Sequence, residues 1–578
     1  MVVLCALSFN SFAQLRGTDT CGVWFQTNVF NSGILNTFGS AKQNFLGCIP
    51  IAEWADIRDG LSSPYKWYAY DSVISQLADS GYFIQLQLNT GQGTPDSILN
   101  LVGKYVTTGH ADTGPYPYYY NPLYKTHVFN MLDDYIRHIA SLPPGVLEKI
   151  LALFFFYCST GDLGPNKGNP ADYSYDNDGD GDLETTISDS DPEWLAWQRE
   201  FMDTVKAKMD RYLPNIKQAA NPGNNEEKYS YYRYHFPGIY GKSGDDSHGK
   251  SYRGERNSKE KDLVWAAKSG DYSKYYVKGE MQAGAVLHPE APHKETFSQF
   301  VFMANMRLTF PCWTGAMFNV LEAGEAQSPR LYVDWFNEHV GSRNEGRRAF
   351  SYPHNIPDYM DTIKFPAATF GQLIDPLKQD DHSKQIKSIL QRPDSIEQKT
   401  VSILKKIDDN SNPERKALIQ ALYPSLQFDE ETDYYNDGIF NGLENYELGM
   451  SMQDTDETTE ILARVGPDTS FHGRWAYRLK IVGGIGVVKY NVEEKIKNTR
   501  RKDSVLIKIW YLDESNYTWL ARMPFCKGNP FLQVTNTGTN EWKCATVVVK
   551  NFNFRPNGHD FQIKSASPLK FELVEFEN

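Results

Sequence analysis

Long apolar runs are missing from this 578-residue sequence; no stretch of about 18 apolar residues occurs, so no membrane-spanning helix is expected. Long basic runs are missing as well. Lys and Arg total 59 against 72 Asp and Glu, giving a net charge of −13 and a pI near 5.5, a balance that argues against non-specific nucleic-acid binding. No Gly-rich phosphate loop follows the first apparent strand, as a dinucleotide-binding sheet would carry. No Gly-x-Ser-x-Gly lies in a strand–turn–helix context, which argues against a serine hydrolase. Cysteine is sparse, at seven.

The chain opens on a short apolar run, Val2 to Phe9, that ends in Ser11-Phe12-Ala13-Gln14. The small residues suit a signal-peptidase site after Ala13, although a basic n-region is lacking and a buried strand is the other reading. The expectation is a signal-peptide remnant at 1–13 and a secreted or periplasmic protein. Cleavage removes Cys5. Among the cysteines left, Cys526 and Cys544 flank a turn-rich stretch and are the expected pair if a disulfide forms, whereas the others sit on apparent buried strands.

What is abundant is aromatic. Twelve Trp, 35 Tyr and 32 Phe make up 14% of the chain, and flat, partly polar rings suit sugar faces as well as large cores. With 40% apolar and 23% charged residues the composition excludes wholesale disorder, and the length requires more than one core.

From about residue 20 to 370, short apolar runs alternate with amphipathic segments. Strands are expected at Cys21 to Phe25, Phe45 to Ile51, Tyr82 to Leu88, Lys149 to Tyr157, Ile216 to Ala220, Tyr275 to Val277 and Cys312 to Val320, with one more between Tyr231 and Tyr252. Helices are expected at Tyr70 to Asp79, Tyr124 to Ser141, Glu193 to Leu213, Thr296 to Leu308 and Leu331 to Val340. Met131, Tyr135 and Ile139 mark one face of the second of these. Alternation with a strand count near eight predicts an α/β fold, a (β/α)8 TIM barrel. Residues 371–431 read as a helical connector. From 432 to 578, short alternating runs separated by Gly, Asn and Asp turns predict a C-terminal β-sandwich that carries no chemistry, its Asp560 included.

In such barrels chemistry gathers at the C-terminal strand ends. Two carboxylates fall there: Asp162 after the fourth strand and Glu280 in Gly279-Glu280-Met281-Gln282. Cleavage of a glycosidic bond needs such a pair, one carboxyl as general acid and the other as nucleophile or base. The plainer reading is that Asp162 stabilises a turn and Glu280 pairs with a lysine.

The run from Trp54 through Tyr65-Lys66-Trp67 to Asp71 resembles the start of β-galactosidase-like and agarase-like glycoside hydrolases of clan A, and the likeness spans about residues 20–365. The resemblance implies a secreted retaining hydrolase with Glu280 as nucleophile and Trp313 at the sugar subsite. It further implies a β-linked galactose-containing poly- or oligosaccharide as substrate, in the manner of an algal galactan such as agar or carrageenan. The clan places a Glu after Asn at the end of strand four. This chain has Gly161-Asp162 there, so either Asp162 takes the acid/base role or Glu255 supplies it. Trp54, Asn89, Tyr118 and His235 complete the expected substrate contacts, and Arg58 lies near the presumed mouth as a receiver of acidic groups. The rival readings are a glycan-binding protein on a decayed barrel and a polysaccharide lyase.

No cofactor is required by this chemistry. Asp176, Asp178, Asp180 and Asp182 alternate as calcium ligands do, but Ile187 stands where an EF-hand loop would end in Glu, and a solvated acidic loop fits equally.

Overall fold

The computed structural model describes residues 22–41, 44–107, 115–157, 173–176, 192–220, 240–243, 276–281, 310–314, 330–339, 348–353, 446–453 and most of 455–577, with isolated positions such as 187 and 297 between them. The segment 1–13 and the connector 371–431 lie outside the described residues. Eight strands, β1 (Trp24–Thr27), β2 (Gly47–Glu53), β3 (Phe83–Asn89), β4 (Ile150–Phe156), β5 (Lys217–Ala220), β6 (Tyr240–Ser243), β7 (Tyr276–Met281) and β8 (Phe310–Thr314), form a closed barrel in chain order. Every neighbouring pair is parallel, including β8 with β1. Following these pairings once around displaces the register by about eight residues, the stagger by which tilted strands close such a barrel.

The helices follow from the sequence period. Among the described residues before 348 they are α1 (Trp54–Ile57), α2 (Trp67–Asp79), α3 (Asp96–Val102), α4 (Pro122–Ala140), α5 (Pro144–Leu147), α6 (Pro192–Tyr212) and α7 (Arg330–His339). In α4, Asn121 caps the first turn by accepting from Leu123 N at 2.9 Å, Pro122 needs no donor there, and Met131, Tyr135 and Ile139 are buried. Strand β4, Ile-Leu-Ala-Leu-Phe-Phe-Phe, is buried along its whole length, as a strand covered on both faces must be. Much of the aromatic content goes here. Tyr119, Tyr124, Tyr157, Trp194, Trp197 and Phe201 form one box between β4, α4 and α6, with ring centroids 4.5–6.2 Å apart.

Twelve further strands make two antiparallel sheets. They are β9 (Arg348–Tyr352), β10 (Tyr446–Leu448), β11 (Met450–Gln453), β12 (Thr459–Ala463), β13 (Trp475–Leu479), β14 (Gly486–Val492), β15 (Ser504–Leu512), β16 (Thr518–Arg522), β17 (Phe531–Thr535), β18 (Trp542–Lys550), β19 (Phe561–Ser565) and β20 (Lys570–Glu577). One sheet runs β10-β9-β20-β13-β12 with β15 and β18 joined beside β20, and the other runs β11-β14-β19-β16-β17. A single apolar cluster joins them, with Ile507, Ile509 and Phe576 from the first and Tyr490, Trp519 and Ile563 from the second. Asp560 is buried and accepts from Val492 N at 2.7 Å, a structural use of that carboxylate.

Two expectations need correction. The barrel boundary at 370 falls too late, because β9 leaves α7 and enters the second unit's sheet between β10 and β20. The expected Cys526–Cys544 bridge is absent, since Cys544 is a free thiol on β18, opposite Trp510 and 3.7 Å from Thr546 Oγ1. Its expected partner Cys526 lies outside the described residues.

Polar contacts fasten the two units where α7 meets β20. His339 bonds Glu575 at 2.8 Å through Nε2 and the Trp335 carbonyl at 2.7 Å through Nδ1. The ring is thus held between a carboxylate and a carbonyl oxygen. Burial works to raise the Glu575 carboxyl, but the bonds from His339 and from Trp510 Nε1, at 2.8 Å, outweigh it and hold the group at about 2. Phe297 packs against Phe471 and His472, and Lys294 Nζ donates to the carbonyls of Val465 and Gly466.

Because its folded pKa is depressed, Glu575 stabilises fully above its unfolded pKa, and that contribution fades as pH falls from about 4.5 toward about 2. His339→Leu leaves a buried carboxylate uncompensated and should cost about 3–5 kcal/mol in a urea titration at pH 7. The difference from wild type should shrink as the titration is repeated below pH 4. A second expectation concerns Gly91, where an added Cβ would sit 1.8 Å from the Tyr157 carbonyl oxygen. Gly91→Ala forces the ends of β3 and β4 apart and should lower the melting temperature by several degrees, read by circular dichroism.

Candidate functional site

Successive residues of a strand point to opposite faces, so the register divides each barrel strand into a lumen set and a helix-facing set. Trp24, Ile49, Phe154, Phe156 and Ala219 form one buried cluster inside the barrel. Phe25, Cys48, Leu86, Leu153 and Phe155 belong to the larger cluster beneath the helices. The backbone register runs Glu280↔Cys312↔Trp24, and Glu280 is the next-to-last residue of β7 rather than a residue after the strand. Trp313, expected at the sugar subsite, pairs in backbone register with Phe25 of β1.

On the opposite wall, β3 reads Phe-Ile-Gln-Leu-Gln-Leu-Asn, and its lumen set is Phe83, Gln85, Gln87 and Asn89. Asn89 is 6% exposed and accepts from Gly91 N at 3.0 Å, an Asx turn that fixes the strand's end. Its register partner is Glu53, the last residue of β2, which remains exposed at the mouth. Glu53 N donates to Asp56 Oδ2 at 2.8 Å, and the Ala55 N–H donates to Gly93 O at 2.8 Å, which holds the loop after β3 against Glu53. Partial burial, then the charge of Asp56, raise the Glu53 carboxyl above its ordinary value. The structure thus brings Asn89 together with Glu53 at one rim, and Glu280 lies at the C-terminal end of β7 in the same barrel.

Several expected residues are used elsewhere. Trp54 is fully buried in the helix-facing cluster, in α1, so it packs the wall and is withdrawn from the lumen. The motif around it is scaffold. Trp67 stacks on His138 at 4.0 Å and on Tyr65 at 4.5 Å. Asp71 Oδ1 meets His138 Nε2 at 2.7 Å, and Tyr65 Oη donates to Asp134 at 2.9 Å. Burial and that carboxylate push the Tyr65 hydroxyl up to about 12. These contacts pin α2 to α4. Arg58 donates to Ser63 O at 2.9 Å, to Leu61 O and to Tyr65 Oη, so its guanidinium closes its own loop instead of receiving an acidic ligand. Tyr118 is half-buried, its ring edge against Tyr120 at 5.8 Å, beside the small sheet of 104–107, 116–117 and 173–176.

Asp162, Glu255, His235, Asp178, Asp180 and Asp182 lie outside the described residues. Asp176 ends a short strand, paired in register with Lys104. Among the described residues no group of three or more metal-type ligands occurs, and no helix is long and apolar enough to cross a membrane.

Sequence reasoning noted Glu53 and Gln87 at strand ends but gave them, and Gln85, no role. The signal was the alternation in 83–89, unusual for a strand covered on both faces, where continuous apolar residues are expected.

No protein-family model matches the chain, and no curated protein matches it. Solved structures do. The catalytic domain of β-amylase from Paenibacillus polymyxa is 9% identical with a TM-score of 0.38, over 56% of this chain and 99% of that one. Endo-β-1,4-glucanase B from Bacillus halodurans is 10% identical with a TM-score of 0.35, over 59% and 63%. The cold-adapted β-galactosidase of Rahnella sp. R3 is 10% identical with a TM-score of 0.31, over 51% and 50%.

Proposed function

We propose that this chain is a retaining glycoside hydrolase, secreted or periplasmic, that cleaves a β-linked galactose-containing poly- or oligosaccharide. The observation that carries the reading is the position of Glu280, next to last in β7 at the C-terminal end of a closed parallel barrel. In barrels of this architecture that end of the strands is where chemistry is done. The galactan class, agar or carrageenan among them, is favoured by the resemblance of the sequence to β-galactosidase-like and agarase-like enzymes.

In this mechanism Glu280 attacks the anomeric carbon while Asp162 protonates the leaving oxygen. The bond to the leaving group breaks as the glycosyl ester forms, and water, deprotonated by Asp162, then releases the sugar with its anomeric configuration retained. The two carboxyl groups must approach to about 5–5.5 Å for this outcome. Asn89 and the Glu53 carboxyl, which holds its proton to higher pH than an ordinary glutamate, are placed to take sugar hydroxyls at the opposite rim. Calcium on the 176–182 segment and a supporting β-sandwich at 432–578 belong to the same proposal.

Glu280→Gln should lose the rate by several orders of magnitude on a galactan panel, and azide should rescue it to a glycosyl azide of inverted anomer. Asp162→Asn should lose about 10²–10⁴ on natural polysaccharide and much less on activated aryl glycosides, because only the former needs its leaving group protonated. Full activity in Asp162→Asn transfers the acid role to Glu255. Unsaturated, ultraviolet-absorbing products indicate a lyase, and binding without products indicates a glycan-binding barrel; either contradicts the proposal. Trp54→Ala, by contrast, should cost about 3–5 kcal/mol of stability and leave oligosaccharide affinity of the folded fraction unchanged.

A further inference from the structure

The loops that follow β2 and β3 are rich in carboxylates. Residues 53–66 and 89–96 carry Glu53, Asp56, Asp59 and Asp96 against the cations Arg58 and Lys66. Both cations are engaged locally. Arg58 donates to Ser63 O, Leu61 O and Tyr65 Oη, with its guanidinium carbon 4.7 Å from the centre of the Tyr65 ring, and Lys66 pairs with Asp59. Glu53 and Asp56 are exposed, and neither meets a cation among the described residues. The Glu53 carboxyl reports the local field, since partial burial and then the charge of Asp56 raise it above its ordinary value.

This rim is preformed. A Cβ added at Gly93 would sit 2.7 Å from both the Asn89 carbonyl oxygen and Glu53 Cβ, so glycine is what lets the loop after β3 close on Glu53. Asn89 is 6% exposed and uses its Oδ1 on Gly91 N, while its Nδ2 has no partner among the described residues. A nearly buried amide with free hydrogens, in register with a carboxyl group at the mouth, calls for a ligand that accepts hydrogen bonds. Sugar hydroxyls do so, and they also donate to Glu53. A sulfate or uronate group accepts too, but it brings a full negative charge beside two uncompensated carboxylates, where like charges repel.

We propose that the β2–β3 rim is a charge filter that admits neutral sugar residues through Asn89 and Glu53 and rejects sulfated or carboxylated ones through Glu53 and Asp56. Unsulfated galactans of the agar kind are then substrates, and heavily sulfated ones of the carrageenan kind are not. The choice of galactan rests on the hydrolase reading above; the sign of the discrimination rests on the rim alone.

A carrageenan and the same polymer after chemical desulfation, offered in parallel, test the filter. At low ionic strength kcat/KM on the desulfated polymer should exceed that on the sulfated one by about tenfold or more, and salt should shrink the ratio. Each variant is judged by its own ratio, so a general loss of activity or of folded protein cancels. Glu53→Gln and Asp56→Asn should each lower the ratio about threefold, and Asp56→Lys should lower it further. Asp79→Asn, at the other end of α2, removes one charge far from the rim and should leave the ratio in place, which separates the filter from the chain's overall negative charge. A wild-type ratio of one or less, or a ratio that Glu53→Gln and Asp56→Asn both leave unmoved, overturns the proposal. If neither polymer is cleaved, the hydrolase reading fails and the filter is judged by retardation of the protein in gels cast with each polymer. Stronger retardation by the desulfated polymer, with the preference reduced in Asp56→Lys, supports the filter; equal, opposite or absent retardation overturns it.

Discussion

Closure of the parallel sheet is the constraint on which the rest depends. Once β8 pairs with β1, every strand must commit alternate residues to a narrow lumen, and no edge remains for register to slip along. Gln85, Gln87 and Asn89 owe their common face to this, and the same closure carries Glu280, almost 200 positions later, into backbone register with Cys312 of β8. The same parity assigns Phe25 to the wall beneath the helices. A shift of one residue in any strand would exchange the two sets, so the register and the candidate chemistry are one feature.

The outer layer answers to a second requirement, that the barrel wall be sealed. Aromatic residues do most of this, in the box around Tyr157 and in the Tyr65–Trp67–His138 stack. Around Phe297 and α7 the two-sheet unit takes over the task, with Trp475 and Leu573 joining the barrel's own cluster. The buried His339–Glu575 pair stands at this seam with a satisfied neighbour on each side, which is how a charge is tolerated out of water. The second unit is therefore part of the barrel's covering as well as a structure with its own core.

The sequence made the larger elements plain because their patterns are strong. The apolar run of β4, the face of α4 and the alternation of strand with helix each follow from periodicity, and the structure matches them to within a few residues. What periodicity could not reveal was lumen parity, which a single residue's error in a strand boundary reverses; hence Gln87 was given no role. Trp54 and Arg58 misled for a different reason. Both lie near a strand's C-terminal end, but burial and local hydrogen bonds, which only tertiary contacts decide, commit them to the scaffold. β9 was invisible as a member of the second unit because its partners, β10 and β20, lie about 100 or more positions away in sequence.

The central claim is that Glu280 is the nucleophile of a retaining hydrolase. Incubation with 2-deoxy-2-fluoro-β-galactosyl fluoride, followed by proteolysis and mass mapping, tests it most directly, because fluoride departs as the enzyme ester forms and the second-position fluorine slows its hydrolysis. The account predicts one glycosyl adduct per chain, on the peptide that carries Glu280, and time-dependent loss of activity. An adduct on another carboxylate, or inactivation without any adduct, would contradict it.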